Sequence, residues 1–93
     1  MIIALDFDGT VTKDPSLWNR FIDDAHRSGH RVVIATMRHN HEAQRVFDTV
    51  KGIERDDMFF TGRLAKRPHL AALGVHPDVW IDDNPHWVDG DIT

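Results

Sequence analysis

Two carboxylates stand one residue apart in the stretch Asp6-Phe7-Asp8-Gly9-Thr10, directly after the apolar run Ile2-Ile3-Ala4-Leu5. Acids crowded at the mouth of a buried strand raise one another's energy unless a cation or a proton relieves the repulsion. A lone Asp at a strand end is commonly a cap for a helix or turn, but no cap needs two such acids on an apolar strand. The pair therefore points to chemistry. Gly9 lets the backbone turn sharply behind it. Other apolar runs also end in polar groups: Thr36 follows Val32-Val33-Ile34-Ala35, and Asp82-Asp83 follow Val79-Trp80-Ile81. Lys66 stands just ahead of a helical segment and could reach the same place.

These residues need a scaffold that brings their strand ends together. Asp14-Pro15 reads as a helix start, with Asp14 as N-cap and Pro15 at the first helical position. Leu17, Trp18, Phe21, Ile22 and Ala25 follow at helical spacing as a core-facing stripe, and Gly29 is placed to end the helix. The second strand ends at Thr36. Asn40 is expected to cap a second helix with Ala43, Val46, Phe47 and Val50 on one face and Gly52 at its end. Met58-Phe59-Phe60 is a third strand. Pro68 is expected to start a third helix carrying Leu70, Ala71 and Leu73, closed by Gly74. Val79-Trp80-Ile81 is the fourth strand. Pro85 to Thr93 is too short for another unit and reads as a tail or a cover. This βαβαβαβ order predicts an α/β domain with a parallel sheet and helices on both faces. The strands are apolar throughout, as expected when both sheet faces are buried. In such a sheet the ligand crevice lies beyond the carboxyl ends of the strands, where all the residues above would converge.

The bulk properties narrow the field. The chain has 93 residues, which suits one small domain over residues 1–93. A formal net charge of −4 argues against nonspecific nucleic-acid binding as the main activity. The absence of cysteine removes disulfides and thiolate metal sites. No signal peptide or membrane span is apparent, so a soluble cytoplasmic protein is the expectation. A domain this small has a thin stability margin. Its three tryptophans leave apolar area that a second subunit could cover, so a homo-oligomer is an open expectation.

Asp6-Phe7-Asp8-Gly9-Thr10, then Thr36, then Lys66, then Ile81-Asp82-Asp83-Asn84-Pro85 is similar, in order and spacing, to the four-motif pattern of the haloacid dehalogenase (HAD) superfamily. The resemblance spans nearly the whole chain. It implies a three-layer Rossmann-like domain with strand order 3-2-1-4 and a Mg²⁺-dependent phosphoryl-transfer site. It further implies that Asp6 is the nucleophile that forms an aspartyl-phosphate. Asp8 would be the general acid and base, with a pKa raised by the neighbouring carboxylates and its main-chain carbonyl on the metal. Thr36 would hold a phosphoryl oxygen, Lys66 would offset charge on Asp6, and Asp6 and Asp82 would hold the metal directly, with Asp83 doing so directly or through water. One helix plus one strand fill each gap between motifs, so no cap domain fits. An open site of this kind takes a large substrate or borrows a lid from a neighbouring subunit.

The leading expectation is thus a small capless phosphatase acting on phosphate monoesters. A polynucleotide-end phosphatase or a metal-dependent nuclease built on the same acids is an alternative, as is a non-enzymatic Mg²⁺- and phosphate-binding module. A receiver-like phosphoacceptor fits poorly, because the third strand ends in Phe60-Thr61-Gly62 with no acceptor Asp. Arg38 is a candidate clamp for a substrate anion or a partner in a structural ion pair. Trp87 could stack on a substrate ring, although packing or a subunit contact is the commoner role. The seven histidines include no compelling ligand pair.

Overall fold

Every apolar run read from the sequence becomes a strand. In the computed structural model, which describes residues 1–92, β1 is Ile2–Leu5, β2 is Arg31–Thr36, β3 is Met58–Phe60 and β4 is Val79–Ile81. The helices between and after them are α1 (Pro15–Arg27), α2 (Gln44–Thr49), α3 (Lys66–Ala72) and α4 (His86–Asp89). The four strands form one parallel sheet of order β3-β2-β1-β4, matching the expected order. Thr93 lies outside the described residues.

Alternate residues of each strand face opposite layers. Ile3, Leu5, Val32 and Ile34 pack with Ile22 of α1 and Val46 of α2. Ala4, Val33 and Ala35 point the other way and pack with Leu70 of α3 and Val75. Trp18 and Phe21 pack edge to face on each other, with ring centroids 5.6 Å apart, and together lie against the first layer.

α1 starts where its sequence signals place it. The Asp14 carboxylate accepts a hydrogen bond from the Leu17 N–H at 3.2 Å, and Pro15 occupies the first turn, where no N–H is needed.

Two helix boundaries differ from expectation. Asn40 does not cap the second helix. It opens a single 3₁₀ turn, Asn40–Glu42, and α2 has only six residues. The cause is a pair of local hydrogen bonds. The Arg38 guanidinium takes the Glu42 carbonyl at 3.0 Å, and the Glu42 carboxylate accepts from the His39 N–H at 2.8 Å. The α-helical ladder therefore begins later, with Phe47 N–H on the Ala43 carbonyl. The third helix begins at Lys66 rather than Pro68. Pro68 falls in its first turn, where a missing N–H costs nothing. Lys66 is consequently a helical residue, fixed in direction by α3.

The C-terminal stretch is a cover. α4 packs against α3, with Val88 buried and Arg67 paired to Asp89 at 2.8 Å. Beyond it, the Ile92 N–H donates to the Arg63 carbonyl at 2.9 Å and the Asp91 carboxylate accepts from the Ala65 N–H. These bonds tie the segment to the loop that precedes α3.

Candidate functional site

The register of β1 with β4 decides the geometry. Leu5 lies opposite Ile81, so Asp6 and Asp82 leave adjacent strands at the same level. The Asp6 N–H extends the ladder by one bond, to the Ile81 carbonyl at 2.9 Å. The Asp6 carboxylate is held on both oxygens and is only 6% exposed. Oδ2 accepts from the Thr10 hydroxyl at 3.0 Å, and Oδ1 accepts from Lys66 Nζ at 2.8 Å. Lys66 is 1% exposed, and its ammonium also donates to Asp82 Oδ2 at 2.6 Å. A buried cation thus bridges the first and fourth strands. The other Asp82 oxygen accepts from the Asn84 N–H at 2.9 Å, which holds the turn after β4.

Asp83 closes the group. Its N–H donates to Thr10 Oγ1 at 3.3 Å. Carboxylate oxygens of Asp6, Asp82 and Asp83 lie within 4.8 Å of one another and could share one metal ion. Gly9 makes this possible. Its φ is +83°, and a Cβ placed there would stand 2.2 Å from Asp83 Oδ2. Any larger residue would displace an acid from the cluster as well as strain the backbone.

Three acids around one lysine leave the cluster electron-rich. The Asp6 pKa is raised to about 7 from 3.8, chiefly by burial and then by the Asp83 carboxyl, against the opposing pull of Lys66. Asp8 departs from expectation. Its pKa is lowered, not raised, because its carboxylate leaves the acid cluster and meets Arg38. The two groups form a bidentate pair, Nε to Oδ2 at 2.8 Å and Nη2 to Oδ1 at 2.9 Å. Charge-assisted bonds of this geometry favour the ionised carboxylate. The Asp8 side chain is therefore no part of the metal-competent trio, and only its main-chain carbonyl remains for the role the resemblance implies.

Thr36 ends β2, buried, with its hydroxyl oxygen accepting from the Arg38 N–H at 3.3 Å. That bond orients the side chain and leaves the hydroxyl hydrogen for another acceptor. Asp6, Asp8, Thr36, Arg38 and Lys66 line one cavity of about 270 Å³. A larger hollow of about 480 Å³ lies beside Met1 and His30, at the opposite end of β1. It contains no acid cluster able to hold a metal ion, so the smaller cavity is the one that joins the acids to Thr36 and Arg38.

Sequence reasoning missed three contributors. Thr10 was visible within the opening motif, but its hold on Asp6 depends on a fold-back that no spacing announces. Met37 and Ile92 line the cavity with no local signal. Arg63 lines it as well, and so does Trp87, the residue read from the sequence as a candidate to stack on a ring. The histidines contribute nothing here. His39 and His41 stack on each other at 5.4 Å, and no histidine joins a metal-competent group among the described residues.

No family model, no curated protein and no solved structure matches this chain. Among the described residues, no helix is long and apolar enough to cross a membrane. What the site does must be read from its own geometry.

Proposed function

We propose that the chain is a Mg²⁺-dependent phosphatase of the haloacid dehalogenase type, hydrolysing phosphate monoesters through an aspartyl-phosphate. The observation that carries this reading is the state of Asp6. It is a buried carboxylate gripped by Lys66 and Thr10, with two further acids at its side and Thr36 and Arg38 in the same cavity.

The donor set suits a hard divalent cation. Asp6, Asp82 and Asp83 offer oxygen ligands only, and one lysine does not neutralise them. When bound there, Mg²⁺ would screen the repulsion between carboxylate and phosphoryl dianion and polarise the phosphorus–oxygen bonds.

The chain's own groups account for the rest. A phosphoryl oxygen accepts the free Thr36 hydroxyl hydrogen, and Lys66 offsets charge on Asp6 and on the incoming group. An Asp6 oxygen attacks phosphorus as the bond to the leaving oxygen breaks, and Asp8 gives that oxygen a proton. In the second half, Asp8 takes a proton from water as the water oxygen attacks phosphorus. Asp6 and inorganic phosphate are released. Asp8 begins paired with Arg38, which holds it ionised. An arriving phosphoryl dianion competes for the same guanidinium. Transfer of Arg38 from Asp8 to the phosphoryl group would free Asp8 to take up and deliver the proton.

The test is release of inorganic phosphate from an aryl phosphate, with Mg²⁺ and with chelator. Turnover that needs Mg²⁺ and is lost in Asp6→Asn is the expected result. Internal cleavage of oligonucleotides without phosphate release would favour the nuclease alternative. A stable phosphorylated protein with no turnover would favour the binding module.

A further inference from the structure

The cavity that holds Asp6 is lined by two kinds of residue. One set is polar and already engaged. Asp6 is bound by Thr10 and Lys66, Arg38 is bound to Asp8, and the Arg63 guanidinium donates to the Met37 carbonyl at 2.9 Å. The other set is the apolar trio Met37, Trp87 and Ile92. This second lining is held at two contacts. α4 is held against α3 chiefly by the buried Val88, and the Ile92 N–H donates to the Arg63 carbonyl. Trp87 lies in α4 beside the buried Val88, ahead of both contacts, so its backbone is held by the helix and its packing on α3.

We infer that the substrate is a phosphate monoester whose leaving alcohol carries a planar aromatic ring, and that this ring packs on Trp87. This rests on the phosphatase reading for where the phosphoryl group sits. A polyol leaving group would bring hydroxyls against Met37, Trp87 and Ile92 and lose water with no partner in return. A planar ring loses nothing by that exchange and gains the offset or edge-to-face contact that aromatic pairs prefer. The cavity volume of about 270 Å³ lies at the small end of ligand pockets, which favours one ring system beside the phosphoryl group.

Benzyl phosphate and cyclohexylmethyl phosphate make the test. They have similar reach and similar alkoxide leaving groups, and they differ in the ring. The protein with Mg²⁺ is expected to prefer benzyl phosphate in kcat/KM by roughly five- to tenfold. Trp87→Phe should keep most of that preference, and Trp87→Leu, which retains apolar bulk without the π face, should lose it. Turnover of both esters with a ratio near one would overturn the ring site and leave the phosphatase reading standing. Should neither ester be hydrolysed, binding of benzylphosphonate and cyclohexylmethylphosphonate by calorimetry decides. Tighter binding of the aromatic compound would uphold the ring site while the phosphatase reading falls, and equal or absent binding would overturn the ring site as well. If Trp87→Leu does not fold, the unsubstituted protein's ratio still decides.

Discussion

Removing the charge of Asp6 should make the metal-free protein more stable, although it destroys the proposed nucleophile. Asp6 titrates at about 7 in the folded chain against 3.8 as a free side chain. An acid with a raised folded pKa contributes stability that is full below its unfolded pKa and is lost as pH rises through the folded one. Three units at roughly 1.4 kcal/mol each set an upper bound near 4 kcal/mol, all of it lost by about pH 8. Asn substitutes for Asp without changing shape. Its carbonyl can face Lys66, and its amide can face the Thr10 oxygen once that hydroxyl turns away. Lys66 keeps Asp82 as a partner at 2.6 Å. The Asp6–Lys66 attraction is already contained in that upper bound, and imperfect hydrogen bonding of the amide in place of a protonated carboxyl takes part of it back, so a net gain of about 2 kcal/mol at pH 8 is expected. For a domain this size that corresponds to roughly 8–16 °C in Tm. The assay is thermal unfolding of both proteins in chelator at pH 8 and pH 5. The gap should shrink to less than half at pH 5, where folded Asp6 is protonated. Saturating Mg²⁺ should raise the Tm of the unsubstituted protein more than that of Asp6→Asn, by mass action on the folded state. An Asp6→Asn protein that melts below its parent at pH 8 in chelator would refute the reasoning.

Other perturbations separate the site's parts. Lys66→Met leaves Asp6 and Asp82 buried without a counter-charge and should cost about 3–5 kcal/mol in chelator, seen as a collapse of the circular-dichroism melt that Mg²⁺ partly reverses. Gly9→Ala forces a Cβ onto Asp83 at φ +83°, and should weaken Mg²⁺ binding at least tenfold in calorimetry while costing about 1–2 kcal/mol of stability. Asp8→Asn should abolish phosphate release but change stability at pH 7 by less than about 1 kcal/mol, because the Asp8 side chain is 51% exposed and its pair with Arg38 is screened. The small Asp8 contribution has the usual carboxylate sign. With a lowered folded pKa it is present above pH 3.8 and fades below it, so the two melting curves should converge in acid.

The parts of the fold legible in the sequence were those written locally. Ile2 to Leu5 and Val79 to Ile81 announce strands by composition, and Asp14-Pro15 announces a helix start by capping chemistry. Asp6, Thr36, Lys66 and Asp82 could be placed at one end of the sheet because strand order and strand polarity alone bring them there. What stayed hidden was carried by side-chain contacts, one of them between residues 30 apart and another between residues only four apart. Arg38 takes both the Asp8 carboxylate and the Glu42 carbonyl. The first contact reverses the pKa shift expected of Asp8, and the second cuts α2 short. Neither is visible in spacing, since Arg38 read equally well as a clamp for substrate. Trp87 was a candidate from the sequence, but the place of Ile92 beside it in the cavity wall was out of reach. It depends on Asp91 and Ile92 returning to the loop before α3.

β4 is an edge strand that pairs with β1 alone, so a single ladder joins the strand bearing Asp82 to the one bearing Asp6. With that ladder undone, Lys66 has one acid instead of two, and the trio of carboxylates does not exist. A slip of a single residue in the same pairing would carry Asp82 to the opposite sheet face, so the metal-competent cluster depends on the register of one edge strand.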